Sequence, residues 1–504
     1  MRSLLAVCAA ALLAAGCGSG PSSGSNASAP EQSMPSGSLL YIGVNLDQSS
    51  TAWKQFAQVG RRFPGWRHLV SSVTNGLDKS LQSSSGQHSV TFQKDVEPWL
   101  GSSAGFAVTS LDASTGKPHM AFVVDSTDDS KALDFLHSQG DRNAGSDNGY
   151  TLLHSRDGKD HLAVGDHAVI GAMDDATLRT VIETRGGTGG NLGSDTGFTK
   201  AMAALPSDSI LRGWVNTQKL AELAGMASLG GLGSPGTSGP QLQQLGTALH
   251  SLDSLTFAAW ATSGGYHLTF RATVAPGAGS TLFPDQTASS LSGLVPGDAL
   301  AFLAFGGYGD YLKQAMGGQM SAPELRLIQQ QTGLSVTHDL IPLLSGSDLV
   351  YAAPGVPFRA AAVLKPANPA TAANTMHKLT GLIARTDPSV RVSPLRGGEG
   401  QQIRTGGLVI TWQRTRDGLI TIGNDPAAGS APAPPLVSSS TFQSLLAKAG
   451  APSSANVAGY FDVAGLVRML PISSDSNLHH VGAVLAWSDS SGQNRSSDVF
   501  VEVR

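Results

Sequence analysis

The hydrophobic pattern of the chain is that of short strands separated by helices. Strands buried in a folded domain read as short runs of apolar and β-branched residues. Seven such runs occur in the first half of the chain, at 39–46, 104–108, 121–124, 161–164, 168–171, 211–215 and 255–260. These seven runs are the predicted strands.

Residues 266–274 follow a different pattern, in which apolar and polar side chains alternate. One face carries Leu268, Phe270, Ala272 and Val274, and the other carries His267, Thr269, Arg271 and Thr273. Alternation of this kind is typical of an antiparallel strand that has one face in water. The sequence therefore predicts sheet that is mostly antiparallel.

Helix starts are marked by capping residues between the strands. Asn368 followed by Pro369 supplies an N-cap and a first-turn proline for a helix running to about Ile383. Residues 127–130 (TDDS) open another helix, with acids at the positive end of its dipole. The predicted fold class is α+β, with mostly antiparallel sheet and helices packed on one face.

The pattern also repeats along the chain. FQKDVEPWL at 92–100 recurs as VTHDLIPLL at 336–344, an offset of 244. Five more matches keep the same order: 37–42 with 297–302, 168–171 with 420–423, Phe198 with Phe442, 213–214 with 459–460, and 255–260 with 482–487. The fall in offset from 260 to 244 predicts a longer loop in the first copy, within 47–91. We therefore predict two tandem related units, 35–275 and 295–504, joined by a linker at 276–294.

The first sixteen residues have the pattern of an export signal. Arg2 precedes an apolar run at 4–15, and LAAGC at 13–17 resembles the lipobox of bacterial lipoproteins. The resemblance implies cleavage between Gly16 and Cys17 and a lipid on Cys17. Twelve helical residues span only about 18 Å, less than the roughly 30 Å hydrocarbon core, so an uncleaved membrane helix is disfavoured. The remaining alternative is an ordinary secretory signal with a chance cysteine.

Residues 17–34 are rich in Gly, Ser and Pro, a composition typical of a flexible tether. Two acyl chains on Cys17 would hold the protein on a membrane stably, whereas one would not. The sequence thus predicts a lipid-anchored protein on the extracytoplasmic face of the cell membrane.

Composition narrows the chemistry of the folded part. The chain has 504 residues, of which 40% are hydrophobic and 14% charged, enough for two or more domains. Its net charge of −4 and lack of basic runs argue against nucleic acid as a partner. Its two cysteines are Cys8, inside the signal, and Cys17. The mature chain is therefore expected to have no disulfide, thiol catalysis or zinc–thiolate site.

Three strings resemble a bacterial family of proteins, the domain-of-unknown-function family thirty-three fifty-two. They are PSGSLLYIGVNLD at 35–47, DVEPWLG at 95–101 and FVVDSTDDSKALDFL at 122–136. The resemblance implies secreted or membrane-attached proteins of actinobacteria, cyanobacteria and relatives, and it transfers no catalytic residue. The second unit departs from it, with Leu343 and Ser345 where the first has Trp99 and Gly101.

Motifs for known chemistry are absent from the sequence. Nucleophile elbows, Walker loops, HExxH helices and dinucleotide fingerprints do not occur, so no cofactor is predicted. The acids at 125–129 lack the glycine and closing glutamate of an EF-hand, and helix capping explains them better. His479 and His480 have no acidic or cysteine partners at ligand spacing, which favours a turn before the last strand pair over a metal site.

The string DVEPWLG allows two interpretations. Asp95, Glu97 and Trp99 could line a carbohydrate-binding or hydrolytic cleft, with the two acids as a catalytic pair. In an extended chain, however, the two acids would lie only about 6–7 Å apart. The alternative is a short helix capped by Asp95 and ended by Gly101. The second copy keeps Asp339 and Pro342 without the other acid or the tryptophan, which favours this structural interpretation.

These features together predict a non-catalytic envelope lipoprotein. Its expected ligand is a lipid, a cell-wall component or a protein partner. A carboxylate-dependent envelope hydrolase and a structural spacer are the alternatives. A deep apolar cavity would favour a lipid carrier, and two facing acids about 5–10 Å apart in a cleft would favour a hydrolase. A smooth surface with neither feature would favour a spacer.

Overall fold

A computed structural model describes residues 29–85, 90–112, 115–156, 158–230, 246–275, 289–309, 312–313, 322–396, 398–432, 434–452, 455–470 and 477–504. Gly16 and Cys17 lie outside these residues, as does most of the predicted linker 276–294. The chain divides into two compact units, Met1–Ala278 (unit one) and Gly279–Arg504 (unit two). No helix in the described ranges is both long and apolar enough to cross a bilayer.

Unit one is an antiparallel sheet with helices inserted between its strands. The strands are β1 (Leu40–Asn45), β2 (Leu100–Leu111), β3 (Pro118–Ser126), β4 (Arg142–Asp147), β5 (Tyr150–His154), β6 (His161–Gly165), β7 (Ala168–Ala172), β8 (Leu211–Val215), β9 (Leu252–Thr262) and β10 (Gly265–Val274). The helices are α1 (Thr51–Gly60), α2 (Trp66–Ser85), α3 (Asp129–Ser138), α4 (Asp175–Arg185), α5 (Thr196–Ala203) and α6 (Thr217–Gly230). All eight predicted strands of this unit are confirmed.

Strands of unit one pair in the order β4-β5-β6-β7-β3-β2-β1-β8-β9-β10, each antiparallel to its neighbours. The predicted long loop at 47–91 is wrong, because α1 and α2 occupy most of it. Helix α1 begins shortly after the end of β1, and α2 begins shortly after the end of α1. Most of this stretch is therefore helical.

Helices cover both faces of this sheet, which corrects the prediction of one covered face. On one face, Ala121 and Ile170 pack with α4 and α5, and on the other, Phe122 packs with α2 and α3. The reason is in the strands themselves. Every residue of β7 (Ala168–Ala172) is buried, and a strand without polar alternation must be covered on both sides.

The N-terminal part of the described chain is folded onto unit one. Residues 30–32 form a 3₁₀ helix, and Met34 is fully buried. Arg185 donates a hydrogen bond to the Ser33 hydroxyl at 2.9 Å, and Tyr41 donates one to Glu31 at 3.1 Å. Residues 29–34, which composition assigns to the tether, therefore belong to the fold.

The wet face predicted for 266–274 is also wrong over its first half. His267 and Thr269 are buried, whereas Phe270 is 38% exposed. The imidazole of His267 stacks on Trp260 with ring centroids 4.8 Å apart, and its Nε2 lies 3.0 Å from the Thr262 hydroxyl. Local partners thus hold the His267 ring, which alternation alone assigns to water. The Thr269 hydroxyl is buried without a hydrogen-bond partner in the described part of the chain.

Unit two is likewise an antiparallel sheet with inserted helices. Its strands are β11 (Ala301–Gly306), β12 (Ser347–Ala353), β13 (Arg359–Lys365), β14 (Arg391–Pro394), β15 (Gly400–Thr405), β16 (Leu408–Arg414), β17 (Ile420–Gly423), β18 (Asn456–Phe461), β19 (Val481–Ser491) and β20 (Asn494–Val503). Its helices are α7 (Ser289–Ser292), α8 (Ala322–Thr332), α9 (Ile341–Leu344), α10 (Pro369–Thr386), α11 (Ser440–Ala449) and α12 (Val463–Met469).

Strands of unit two pair in the order β14-β15-β16-β17-β13-β12-β11-β18-β19-β20, again antiparallel throughout. One face packs Leu349 and Tyr351 against Phe442 of α11. On the opposite face, α10 covers only one part of the sheet, around Leu364 and Trp412. The α+β class with antiparallel sheet is confirmed.

The helix start predicted at Asn368 is confirmed as well. The Asn368 side chain accepts hydrogen bonds from the backbone amides of Ala370 and Thr371, both at 3.1 Å. In unit one, Asp128 caps α3 in the same way, accepting from the amide of Lys131 at 3.1 Å. The capping chemistry of both helices could thus be read from the sequence.

Candidate functional site

The DVEPWLG string begins inside a π-helical turn at Phe92–Val96. Thr91 is its N-cap, with its hydroxyl accepting from the amide of Lys94 at 3.4 Å. Asp95 is therefore not the cap, which corrects that expectation. Its carboxylate instead accepts a hydrogen bond from the Thr91 amide at 2.8 Å, so the two residues satisfy each other's backbone groups in the manner of a capping box.

Trp99 is part of the hydrophobic core. Its side chain is only 1% exposed and packs beside Phe135, with ring centroids 5.7 Å apart. Its indole N–H donates to the main-chain oxygen of Asp95 at 2.9 Å. Glu97 is half-buried in the turn between them. The structure thus places an acid and an indole of the expected cleft in fold-forming contacts.

Gly101 is required by a close approach of two strands. A Cβ atom at this position would clash with the side chain and backbone of Asp125. Asp125 is itself buried and accepts a hydrogen bond from the Ser103 hydroxyl. Burial raises the pKa of Asp125, and the Ser103 hydrogen bond only partly offsets that effect. Gly101 therefore marks this packing. It is the second residue of β2, so the expectation that it ends the turn is wrong.

Unit two contains the same turn at Val336–Leu340. Asp339 accepts from the Ser335 amide at 2.8 Å and from Lys378 at 2.7 Å. Burial raises the pKa of Asp339, but the Lys378 hydrogen bond and the Ser335 amide outweigh it and hold the pKa below its usual value. An acid at this place secures the turn in both units.

The remaining candidate residues also have structural neighbours. Asp129 accepts a hydrogen bond from the His167 amide at 3.1 Å. His479 and His480 lie in a 3₁₀ helix, Asn477–His480, directly before β19, where a turn was predicted. Within the described ranges, no group of three or more His, Cys, Asp or Glu side chains is placed to hold a metal ion.

A surface that the sequence did not single out lies on unit two. Leu303, Val350 and Phe461 are 56%, 42% and 39% exposed. Register places Leu303 opposite Val350, and a second row runs across β18, β11, β12 and β13 through Phe461, Ala301, Ala352 and Ala360. With Ala362, these residues point to the same side of the sheet and form what we call the open face. None of the seven is charged.

The open face arises from strands that are apolar on both sides. The other sides of β11 and β12 place Phe302, Leu349 and Tyr351 in the core. A continuous apolar run such as AFLAF at 301–305 suggests a strand that is buried on both faces of its sheet. The sequence pattern therefore does not reveal that one face of this strand is exposed. Phe358, which stands just before β13, is also 43% exposed. The available signal was length, because the stretch between β11 and the π-helical turn of unit two is shorter than the stretch between β1 and the turn of unit one.

A buried acid lies at the inner end of the open face. Asp348 is fully buried on β12, between Phe305 of β11 and Leu364 of β13. Neither carboxyl oxygen has a hydrogen-bond partner in the described part of the chain. Burial raises the pKa of Asp348 to about 7. Burying an acid without a partner is costly, so this residue calls for an explanation beyond folding.

Comparison with solved structures gives only weak similarity. Crystal forms III, IV and I of TP0453 each match with a TM-score of 0.27 and 8% sequence identity. Forms III and I cover 50% of this chain and 82% of that chain, and form IV covers 48% and 80%. No curated protein matches the sequence.

Comparison with protein families gives a match over most of the chain. The model described as "Protein of unknown function (DUF3352)" matches residues 2–481. This span includes the three strings that resemble the family, nearly all of unit one and most of unit two, and it ends where β19 begins. The chain therefore belongs to the DUF3352 family.

Proposed function

We propose that this protein is a lipid-anchored envelope lipoprotein that binds acyl chains on the open face of unit two, without catalysis. The observation that carries the proposal is the exposure of Leu303, Val350 and Phe461 side by side on one sheet face. Contiguous exposed apolar surface marks an interaction site more often than it marks ordinary protein surface.

The chemistry of the open face suits a hydrocarbon chain. Its side chains are aliphatic or aromatic, and the strand backbones beneath them are hydrogen-bonded within the sheet. A polar or charged partner would lose hydration there without gaining hydrogen bonds. An acyl chain loses nothing of that kind, and it gains roughly 25 cal/mol for each Å² of apolar surface removed from water.

Anchoring at the membrane is supported by the sequence. The segment LAAGC at 13–17 ends an apolar run in the way of a lipobox, and Cys17 is the cysteine that would remain after cleavage. Mass spectrometry of the protein from its native membrane tests this part of the proposal. A mature N-terminus at a diacylated Cys17 is expected, and an unmodified N-terminus elsewhere would refute the anchor.

We further propose that the two units arose by internal duplication. Both units have the same order of strands, and matched backbone hydrogen bonds support their equivalence. The amide of Ser36 donates to the carbonyl of Gly190 in unit one, and the amide of Gly297 donates to the carbonyl of Pro434 in unit two. In the same way, the bond from Leu39 to Val108 matches the bond from Leu300 to Ala352. The bond from Asn216 to Leu39 matches the bond from Asp462 to Leu300. These bonds set the offset of the first strand at 261 rather than 260. For the last pair of strands, the bond from Ala275 to Ser251 matches the bond from Arg504 to His480. This match corresponds to an offset of 229 residues between the units, whereas the sequence match gave 227.

The duplication explains why the binding site is assigned to unit two. In unit one, Ile42 and Phe106 are paired as Leu303 and Val350 are in unit two, but both are only half-exposed. Helix α2 of unit one packs on that side of its sheet through Leu77 and Leu81. The same surface is therefore less available in the first unit.

Titration of the mature protein with a fluorescent acyl ester tests the binding proposal. Leu303→Gln places an amide on the open face and is expected to weaken binding about tenfold. Leu327→Gln is the matched control, because Leu327 is 52% exposed on α8 and is not part of the open face. Absence of saturable binding would favour a spacer. Equal loss in both variants would place the ligand elsewhere.

A further inference from the structure

Asp348 carries an inference about what the open face recognises. Its carboxyl is fully buried, and both oxygens are without a hydrogen-bond partner in the described part of the chain. Native proteins rarely leave such a group unsatisfied, and exceptions tend to have a functional cause. Its neighbours across the sheet, Phe305 and Leu364, are apolar.

The fold does not need an acid at this position. In unit one, Ala104 takes the equivalent place on β2, between Val44 of β1 and Val124 of β3. Ala104 is buried, and its neighbours are as apolar as those of Asp348. A small apolar side chain therefore satisfies the same packing. The acid in unit two is an addition that weakens the fold rather than supporting it.

Asp348 is adjacent to the open face. It points to the same side of β12 as Val350, two residues further along the strand. Residues two apart in a strand are separated by about 7 Å, so the carboxyl lies close to the place where the exposed surface ends. A ligand lying along the face would bring its polar end to this carboxyl.

The charged and titratable groups on the elements around this end are paired with other residues, packed against them or exposed. Lys378 of α10 is paired with Asp339 of the π-helical turn at 2.7 Å. His377 of α10 packs edge-on against Trp412. His338 lies in the same turn as Asp339, and Lys313 is exposed. Burial remains the cause that raises the pKa of Asp348 to about 7. A protonated carboxyl has one O–H to donate.

We propose that Asp348 is the polar recognition group of the acyl site, donating a hydrogen bond from its protonated carboxyl to the carbonyl oxygen of an acyl ester. The ester's chain lies along the open face, over Leu303 and Val350. This inference rests on the proposed function, since it names the ligand class of the same surface. A buried donor without an acceptor gains most from a ligand that supplies one.

Competition for the fluorescent acyl ester tests the inference with three probes of equal chain length: methyl dodecanoate, dodecane and dodecylammonium. Methyl dodecanoate is expected to bind the wild-type protein more tightly than dodecane does. Its binding is expected to be about tenfold weaker at pH 8.5 than at pH 6, because the fraction of protonated Asp348 falls as the pH rises. Asp348→Asn keeps a donor and is expected to remove the pH dependence. Asp348→Leu is expected to remove the preference for the ester.

The outcomes separate this inference from the proposed function. The three probes could bind equally well, with binding unchanged by Asp348→Leu but weakened by Leu303→Gln. That result would overturn the role of Asp348 and leave the acyl site intact. Tighter binding of dodecylammonium as the pH rises would overturn it in favour of an ionised Asp348 that pairs with a cation. Absence of binding by every probe would overturn both.

Discussion

The indole nitrogen of Trp99 donates a hydrogen bond to the main-chain oxygen of Asp95 at 2.9 Å. This bond ties Trp99 to the first residue of the DVEPWLG string, and the indole packs beside Phe135 of α3. The most distinctive string of the sequence thus holds together the turn before β2. Its distinctiveness comes from packing, and its contribution should be measurable as stability.

Replacement of Trp99 by alanine is expected to destabilise the protein by about 3–5 kcal/mol, because it removes a large buried ring and leaves a cavity. Trp99→Phe keeps most of the apolar contact and is expected to lose less. Denaturant unfolding followed by circular dichroism measures both. A loss below about 0.5 kcal/mol for Trp99→Ala, the value usual for surface positions, would contradict the placement of the indole in the core.

Gly101→Ala is expected to destabilise unit one by about 1–3 kcal/mol, since the new Cβ atom would overlap Asp125 and force the strands apart. Gly76→Ala is the matched control. Gly76 lies in α2 with no atom near the position of a Cβ, so alanine there should stabilise the helix by about 0.5–1 kcal/mol. Thermal unfolding of the two variants should show shifts of opposite sign.

The pair of Asp339 and Lys378 predicts a loss of stability in acid. The pKa of Asp339 in the folded protein is lowered, so the folded state favours the ionised form more than the unfolded chain does. The stabilisation is complete above the usual pKa of about 3.9 and is lost as the pH falls through the lower folded value. Asp339→Asn should show a smaller loss below pH 4 than the wild type. Parallel curves for the two proteins would contradict the linkage.

Asp348 predicts the opposite dependence. Its pKa in the folded protein is raised to about 7, so the folded state holds a proton that the unfolded chain releases above about pH 4. Stability should therefore fall as the pH rises from about 4 to 7 and then level off. The effect is on the order of a few kcal/mol, and Asp348→Asn should abolish it.

Unfolding midpoints of the wild type and Asp348→Asn between pH 4 and 8 test this dependence. Asp348→Leu provides a second measure, since it removes the unpartnered acid and should be more stable than the wild type at pH 8. A less stable leucine variant would mean that Asp348 has a partner that supports the fold.

Much of the fold was predictable because strand burial leaves a local signal. Runs such as 168–171 are apolar over their whole length, and Asn368 and Asp128 cap helices through their own side chains. The hairpin of β4 (Arg142–Asp147) and β5 was missed because β4 is mostly exposed and polar, so no periodicity marks it. Helices α1 and α2 were missed because an insertion between repeats suggested a loop.

The candidate site was less predictable, for a physical reason. A sequence shows which residues are apolar but not which apolar sides remain uncovered after packing. Leu303 and Phe302 are neighbours of similar character, yet one is 56% exposed and the other is 3% exposed. Asp348 was visible as an acid directly before an apolar run, but its isolation depends on strand pairing. That pairing is long-range information, which periodicity does not carry.

The docking of Pro30–Gln32 and Met34 on unit one sets the reach of the proposed anchor. Cys17 precedes Ala29 by twelve residues, which span at most about 40 Å when fully extended. A body held within a hemisphere of that radius meets the bilayer at an effective concentration on the order of 10 mM. At such a concentration even a site with millimolar affinity for membrane lipid would be occupied for most of the time. Weak binding would then serve as well as tight binding, and it would allow rapid release.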